Sequence, residues 1–182
     1  MNIFYLHEEP EQCAKEHNDK HCVKMDIEYP QMLSTAHRVL DGNEWYDKTA
    51  NGRRIKRWKH PEPIMDSVLY KASHINHPSA AWVRESKNNY NWLFQLWMNL
   101  CEEYTWRYGK THMSWKKLGV ALSRPPKNID DKPFVEPPPA MSHFPQCIVE
   151  GDSIESYRNY YREAKASFSK WTRRPVPEWW NK

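Results

Sequence analysis

The sequence predicts a mainly α fold: one compact domain over residues 1–182, with three main helices and long irregular loops. Apolar residues recur at helical spacing in three long stretches, and no stretch shows the strict alternation of a half-buried strand. Helix-start and helix-stop residues bracket those stretches, with Pro10 and Pro78 near two starts and Gly42 and Gly109 just past two ends. At this length a single chain can bury a sizeable core.

Residues 2–6 form a short apolar-aromatic run, read as an extended segment packed on the core. The first long helix is expected from Pro10-Glu11 to Asp41-Gly42. Val23, Ile27, Leu33, Ala36 and Leu40 can face the core, while His17, His21, Lys24, Glu28, Gln31 and Thr35 share a polar stripe. That stripe is either an ordinary wet face or the wall of an active site. Pro30 removes a backbone donor and clashes with the carbonyl of Asp26, so a kink or break is expected beside Glu28. Residues 43–63 read as a loop carrying Arg53, Arg54, Lys56, Arg57 and Lys59 around Ile55 and Trp58. A basic cluster holding an aromatic suits phosphate contact with stacking, or is simply a solvated charged loop. The second helix starts at His77-Pro78 and runs to about residue 108, with Trp82, Leu93, Trp97, Leu100 and Tyr104 as core. Residues 115–122 suit a short helix, and the proline-rich 123–146 an extended loop. Residues 152–171 form the third helix, with Ile154, Tyr157, Tyr161, Ala164, Phe168 and Trp171 inward. The tail RRPVPEWWNK carries no helix signal.

Composition narrows the function. The net charge of +4 is mild, so polyanion affinity must come from local clustering. The four cysteines form no C-x-x-C pair and read as reduced thiols of an intracellular protein. No run suits a membrane span or a signal peptide, and the expectation is a cytoplasmic chain. Cys13, His17, His21 and Cys22 are a conceivable zinc set, but H-E-x-x-H and paired-cysteine motifs are absent. No metal and no cofactor is therefore assigned. A Walker loop, a dinucleotide fingerprint and G-x-S-x-G are absent as well.

A carboxylate on a polar helix face, near histidine and a basic cluster, fits chemistry on nucleic acid. Four pieces occur in order: D-x-H then E-x-P (Asp19-Lys20-His21, Glu28-Tyr29-Pro30); A-N-G then a basic run with one aromatic (Ala50 to Lys59); a histidine opening the second helix (His77); and R-P followed by aromatics (Arg174-Pro175, Trp179-Trp180). Spread over nearly the whole chain, this layout resembles the phage pyrimidine-dimer DNA glycosylase and abasic-site lyase family called endonuclease V. The N-terminal half also resembles phage-encoded proteins of no assigned activity. The endonuclease V resemblance implies an endonuclease V-like fold with three main helices, no metal, a monomer acting on duplex DNA, and an N-terminal α-amine that attacks C1′ of the damaged nucleotide. An unperturbed α-amine keeps a neutral fraction near pH 7. It further implies Met1 as nucleophile, Glu28 as essential carboxylate and His21 as supporting donor. His17, Lys24, Gln31, Arg53, Arg54, Lys56, Arg57, Trp58, Lys59 and His77 are the expected substrate and DNA contacts. This chain departs from the family where Asn2 disfavours removal of Met1, and where Ile27 and Gln31 replace two arginines beside the glutamate. The alternatives are a DNA- or nucleotide-modifying enzyme with an altered pocket, and a non-catalytic DNA-binding protein.

Overall fold

Two long antiparallel-packed spans, α2 (Asp19–Asp41) and α5 (Lys87–Tyr108), carry the core of the computed structural model, which describes residues 1–181. Around them lie α1 (Pro10–Glu16), the hairpin strands β1 (Asn43–Lys48) and β2 (Arg54–Lys59), α3 (Pro63–Val68), α4 (Pro78–Glu85), α6 (Met113–Leu122) and α7 (Ser153–Ala164). The expected class of three main helices with irregular loops and an endonuclease V-like fold is therefore corrected. The chain is 54% helical, in seven α-helices among the described residues, and it adds a two-stranded antiparallel sheet.

Each expected long helix is shorter or divided, for a local reason. The first breaks at His17-Asn18. The Arg107 guanidinium donates to the carbonyls of Lys15 (3.0 Å) and His17 (2.9 Å), satisfying the end of α1. The Asn18 side chain then accepts from the His21 amide at 2.8 Å and caps α2. The second breaks at Ser86, whose hydroxyl accepts from the Asn88 amide and caps α5. The third ends at Ala164, and residues 166–168 make only a 3-10 turn.

Of the expected kink or break at Pro30, the break does not occur: α2 continues through it. Proline leaves the Asp26 carbonyl without its helical partner. Ser114 Oγ (2.6 Å) and Trp97 Nε1 (3.3 Å) donate to that carbonyl instead, so α5 and α6 replace the missing bond. The core face of α2 is also rotated from the one expected. Cys22, Met25, Tyr29, Met32, Leu33 and Ala36 are buried at steps of three and four, while Val23 and Ile27 are 41% and 43% exposed.

Residues 43–63 are not a loop. Asn43 pairs with Lys59 and Lys48 with Arg54, and the strands turn through Gly52 at φ +77, a conformation that suits glycine. Arg38 fastens this hairpin to the body. Its guanidinium, 7% exposed, donates to the carbonyls of Trp58, Asp66, Leu69 and Tyr70 and pairs with the Asp66 carboxylate at 2.7 Å.

The N-terminal run 3–6 is buried on the core as expected, and it turns tightly where the Leu6 amide donates to the Phe4 carbonyl at 3.1 Å. α7 packs on it: Arg158 Nε donates to the Leu6 carbonyl at 3.0 Å, and Phe4 meets Tyr157 and Tyr161 edge-on. All four cysteines are buried free thiols. Among the described residues, no helix is long and apolar enough to cross a membrane.

Replacing Arg38 with alanine leaves the Asp66 carboxylate and four carbonyls without their donor. The guanidinium is buried but the Asp66 side chain is 30% exposed, so a loss of about 2–3 kcal/mol is expected, chiefly from carbonyls left without a donor. Denaturant unfolding measures the loss, and amide exchange should show the hairpin opening before α2 and α5.

Two buried groups of opposite sign should also make stability depend on pH, their effects cancelling between about pH 4 and 6.5 and leaving a net fall from about 6.5 to about 8. Burial holds the His17 imidazole down at about 4. Between its ordinary value of 6.5 and about 4 only the unfolded chain takes up the proton, so stability is lost as pH falls through that window. Burial pushes the Asp26 carboxyl up to about 8. The folded chain then keeps a proton that the unfolded chain releases, so stability falls as pH rises from about 4 to about 8. Unfolding curves across pH should show Asp26→Asn removing the fall above about pH 6.5, and His17→Gln uncovering a fall that begins near pH 4.

Candidate functional site

The first turns of α2 and the buried start of the chain open onto a cleft of about 340 Å³. Because α2 is capped at Asn18, His21, Lys24 and Glu28 project one turn apart along its wall. Phe4, in the N-terminal segment, lies flat on the His21 ring at 3.9 Å and brings Met1 alongside. The Met1 α-amine is 3.9 Å from Glu28 Oε2, and Lys24 Nζ is 3.2 Å from Glu28 Oε1. The Glu28 side chain is 19% exposed, so the carboxylate is reachable but sheltered. His77 closes the cleft from the start of α4, where its Nδ1 accepts from the Ser79 amide at 3.2 Å. Burial, then the neighbouring Met1 amine and His74, hold its imidazole below the ordinary range, with Glu28 opposing.

His21 is nine-tenths buried or more, and burial, reinforced by His17 and the surrounding lysines, keeps its imidazole neutral far below the usual range. Its Nδ1 lies 2.6 Å from the Tyr161 hydroxyl. With the phenol hydrogen directed at Nδ1, the ring carries its own hydrogen on Nε2 and can donate but not supply a charge.

His17 does not join this cleft. It ends α1 in the core, Nδ1 on the Cys13 carbonyl and Nε2 on the Tyr29 hydroxyl, both at 2.7 Å. The stripe fails there because the chain leaves the helix between His17 and Asp19. Nor do Cys13, His17, His21 and Cys22 gather as a ligand set: the Cys13 thiol is engaged with the backbone of Phe4 and Leu6, and both His17 nitrogens are taken. Gln31 lies partly buried beyond Glu28, outside the cleft lining.

The opposite wall comes from distant sequence: Met141, His143 and Phe144 of the proline-rich stretch, Tyr160 of α7, and Lys165 just after it. Lys165 sits 4.5 Å over the Tyr160 ring and adds a second cation to the cleft. No local pattern marks these residues. Only the pairing of α7 with the N-terminal segment brings them in.

The basic cluster lies elsewhere. From Glu28 to the end of α2 is 13 residues, about 20 Å at 1.5 Å per residue, and the hairpin follows. Residues 43–59 hold six cations against two carboxylates. Lys56 pairs with Glu44 (2.9 Å), Arg57 approaches Asp47 (3.9 Å), and Arg54 stacks 3.6 Å over Tyr46. Trp45 and Tyr46, absent from the sequence-level site, are about half exposed on β1.

No family model, curated protein or solved structure matches this chain.

Tyr161→Phe should leave the His21 Nδ1 buried without its partner, at a cost of about 1–3 kcal/mol. Denaturant unfolding reads that loss, while the Met1 and Glu28 positions should not move in a structure of the variant.

Proposed function

We propose that the chain is a DNA glycosylase with abasic-site lyase activity that uses its N-terminal amine. The observation that carries this reading is the Met1 nitrogen 3.9 Å from the Glu28 carboxylate in a cleft also lined by His21 and His77. A buried start of chain could have ended against any polar group. Here it ends at a sheltered carboxylate, and amine beside carboxylate is what imine chemistry requires.

The neutral Met1 amine attacks C1′ of the damaged nucleotide. The C1′–N-glycosidic bond breaks, and the base leaves with a proton. Opening of the sugar gives an iminium between Met1 and C1′. Removal of a C2′ proton then expels the 3′-phosphate by β-elimination, and water returns the amine. Glu28 offsets positive charge developing at the sugar and passes protons between amine and sugar. The neutral His21 donates a hydrogen bond. Lys24 and Lys165 hold phosphates flanking the lesion. The hairpin binds the duplex further along, its free cations on phosphates and its exposed aromatics against the groove or a base. The nucleotide must leave the stack to reach Met1.

Borohydride should trap a covalent adduct with abasic duplex DNA, mapped by peptide mass to Met1. Glu28→Gln should keep fold and DNA binding yet lower strand cleavage by about 10²–10³. Acetylation of the amine should abolish cleavage altogether. Absence of any reducible adduct on abasic or dimer-containing DNA sinks the lyase reading and favours chemistry without an amine nucleophile.

Alanine at Arg53, Arg54 and Arg57 together should weaken duplex binding equally on all sequences, with the salt slope falling by about one per lost phosphate contact. An unchanged slope would make the hairpin a solvated surface only.

A further inference from the structure

A second cluster lies at the other end of α2, where the lyase reading has no use for it. His37 and Asp41 are one turn apart on α2, and His60 follows β2. One nitrogen of each histidine and a carboxylate oxygen of Asp41 all lie within 4.8 Å of one another, and His60 Nε2 is 3.9 Å from Asp41 Oδ2. His37 and His60 are 3% and 4% exposed. Yet His37 Nδ1 and His60 Nε2 have no hydrogen-bond partner. Leaving two buried ring nitrogens unused in one cluster is costly unless something else occupies them.

The hydrogen bonds around the cluster assign its lone pairs. The Tyr90 hydroxyl donates to the Leu122 carbonyl (2.9 Å), so its oxygen accepts from His37 Nε2 at 2.9 Å. The Arg124 carbonyl, 3.1 Å from the same nitrogen, can only accept. The His37 hydrogen is therefore on Nε2, and Nδ1 keeps a free lone pair. The Asp41 carboxylate is held in place by the amides of Lys127 (2.8 Å) and Asn128 (2.9 Å). This outer support is what a metal-binding histidine and carboxylate need to keep their aim.

We propose that His37 Nδ1, Asp41 and His60 Nε2 bind a divalent first-row transition ion of the zinc type. Two imidazoles and one carboxylate suit such an ion better than magnesium or calcium, which take oxygen ligands. Tetrahedral zinc holds its ligand atoms roughly 3.3 Å apart, so side-chain rotation must draw the set together. His60 is the ligand that rearranges. Its Nδ1 accepts from the Glu62 amide at 3.1 Å, which places its hydrogen on Nε2. Coordination moves that hydrogen to Nδ1 and releases the Glu62 amide. The fourth position opens on a cavity of about 610 Å³ that Glu62, Lys117 and Lys127 line. The pattern of three protein ligands and one open position is that of a reactive rather than a sealed site.

The test uses the full chain, stripped with a chelator and titrated with zinc and, separately, cobalt(II). The expected result is one ion per chain, with a higher unfolding temperature and an intense visible cobalt spectrum of low coordination number. Asp41→Asn and His60→Gln should each weaken zinc binding by at least 100-fold, while His21→Gln leaves it unchanged. Where those variants do not fold, the proton spectrum of the cobalt protein decides: two exchangeable imidazole N–H resonances should be shifted far outside the normal range, one from each histidine. Failure to bind either ion, binding retained in folded Asp41→Asn and His60→Gln, fewer than two shifted imidazole resonances, or a thiolate charge-transfer band would each overturn the site. Borohydride trapping is independent of it, and should be unaffected by the chelator.

Discussion

Arg107 holds together the parts of the molecule on which everything else rests. Its side chain is wholly buried in α5, where it pairs with Glu103 at 2.7 Å and Asp19 at 3.0 Å. Its other hydrogens go to the last carbonyls of α1. One guanidinium thus ends one helix and supports the first residue of the next. Asp19 in turn accepts from the amide and hydroxyl of Thr172, and Glu103 takes the Arg174 guanidinium, so the C-terminal tail is fastened to the same point. A buried charge of this kind is tolerated because almost every hydrogen has an acceptor. It fixes where α2 begins, and so which of its residues reach the cleft.

Much of the helical content was legible from periodicity and capping residues, because α2, α5 and α7 each bury a repeating face. The divisions were not. Nothing in residues 10–41 read alone reports that an arginine 90 positions further on will satisfy the carbonyls of Lys15 and His17. The hairpin was hidden for a different reason. β1 is almost wholly exposed, and the half-buried residues of β2 include Arg57, so no apolar alternation marks either strand, although the Asn51-Gly52 turn is a hairpin signal. Pro30 does not end α2 because the rule for proline concerns the helix alone, whereas the lost bond here is replaced by Ser114 and Trp97.

The candidate site divides along the same line. His21, Lys24 and Glu28 share one helix face, and that spacing placed them together. His17 fits the same arithmetic but belongs to α1. Lys165, His143 and Tyr160 were invisible, since they meet the cleft only through tertiary packing. The unassigned cluster of His37, Asp41 and His60 had half a signal, an i, i+4 pair on α2, and its third member arrives only once the hairpin has doubled back. The orphaned nitrogens that single it out are a property of packing, with no counterpart in the sequence.

The buried first residues have a consequence for how the chain must fold. Phe4 stacks on His21 and donates its amide to Tyr29 in α2, but its edge-on partner Tyr161 and the donor to the Leu6 carbonyl come from α7, some 150 residues away, and the Trp171 indole closes over α1 by donating to the Glu16 carbonyl. Contacts of such long separation form late, after α2 and α5 have given them something to pack on. During synthesis the amino end can therefore rest on α2 and α5, but the side that α7 closes stays uncovered until nearly the whole polypeptide has left the ribosome. A chain stopped before α7 would keep the hairpin and the two long helices yet have no cleft. The cleft comes into being with the last steps of folding, and the intermediate that precedes it exposes the aromatic surface most prone to aggregate.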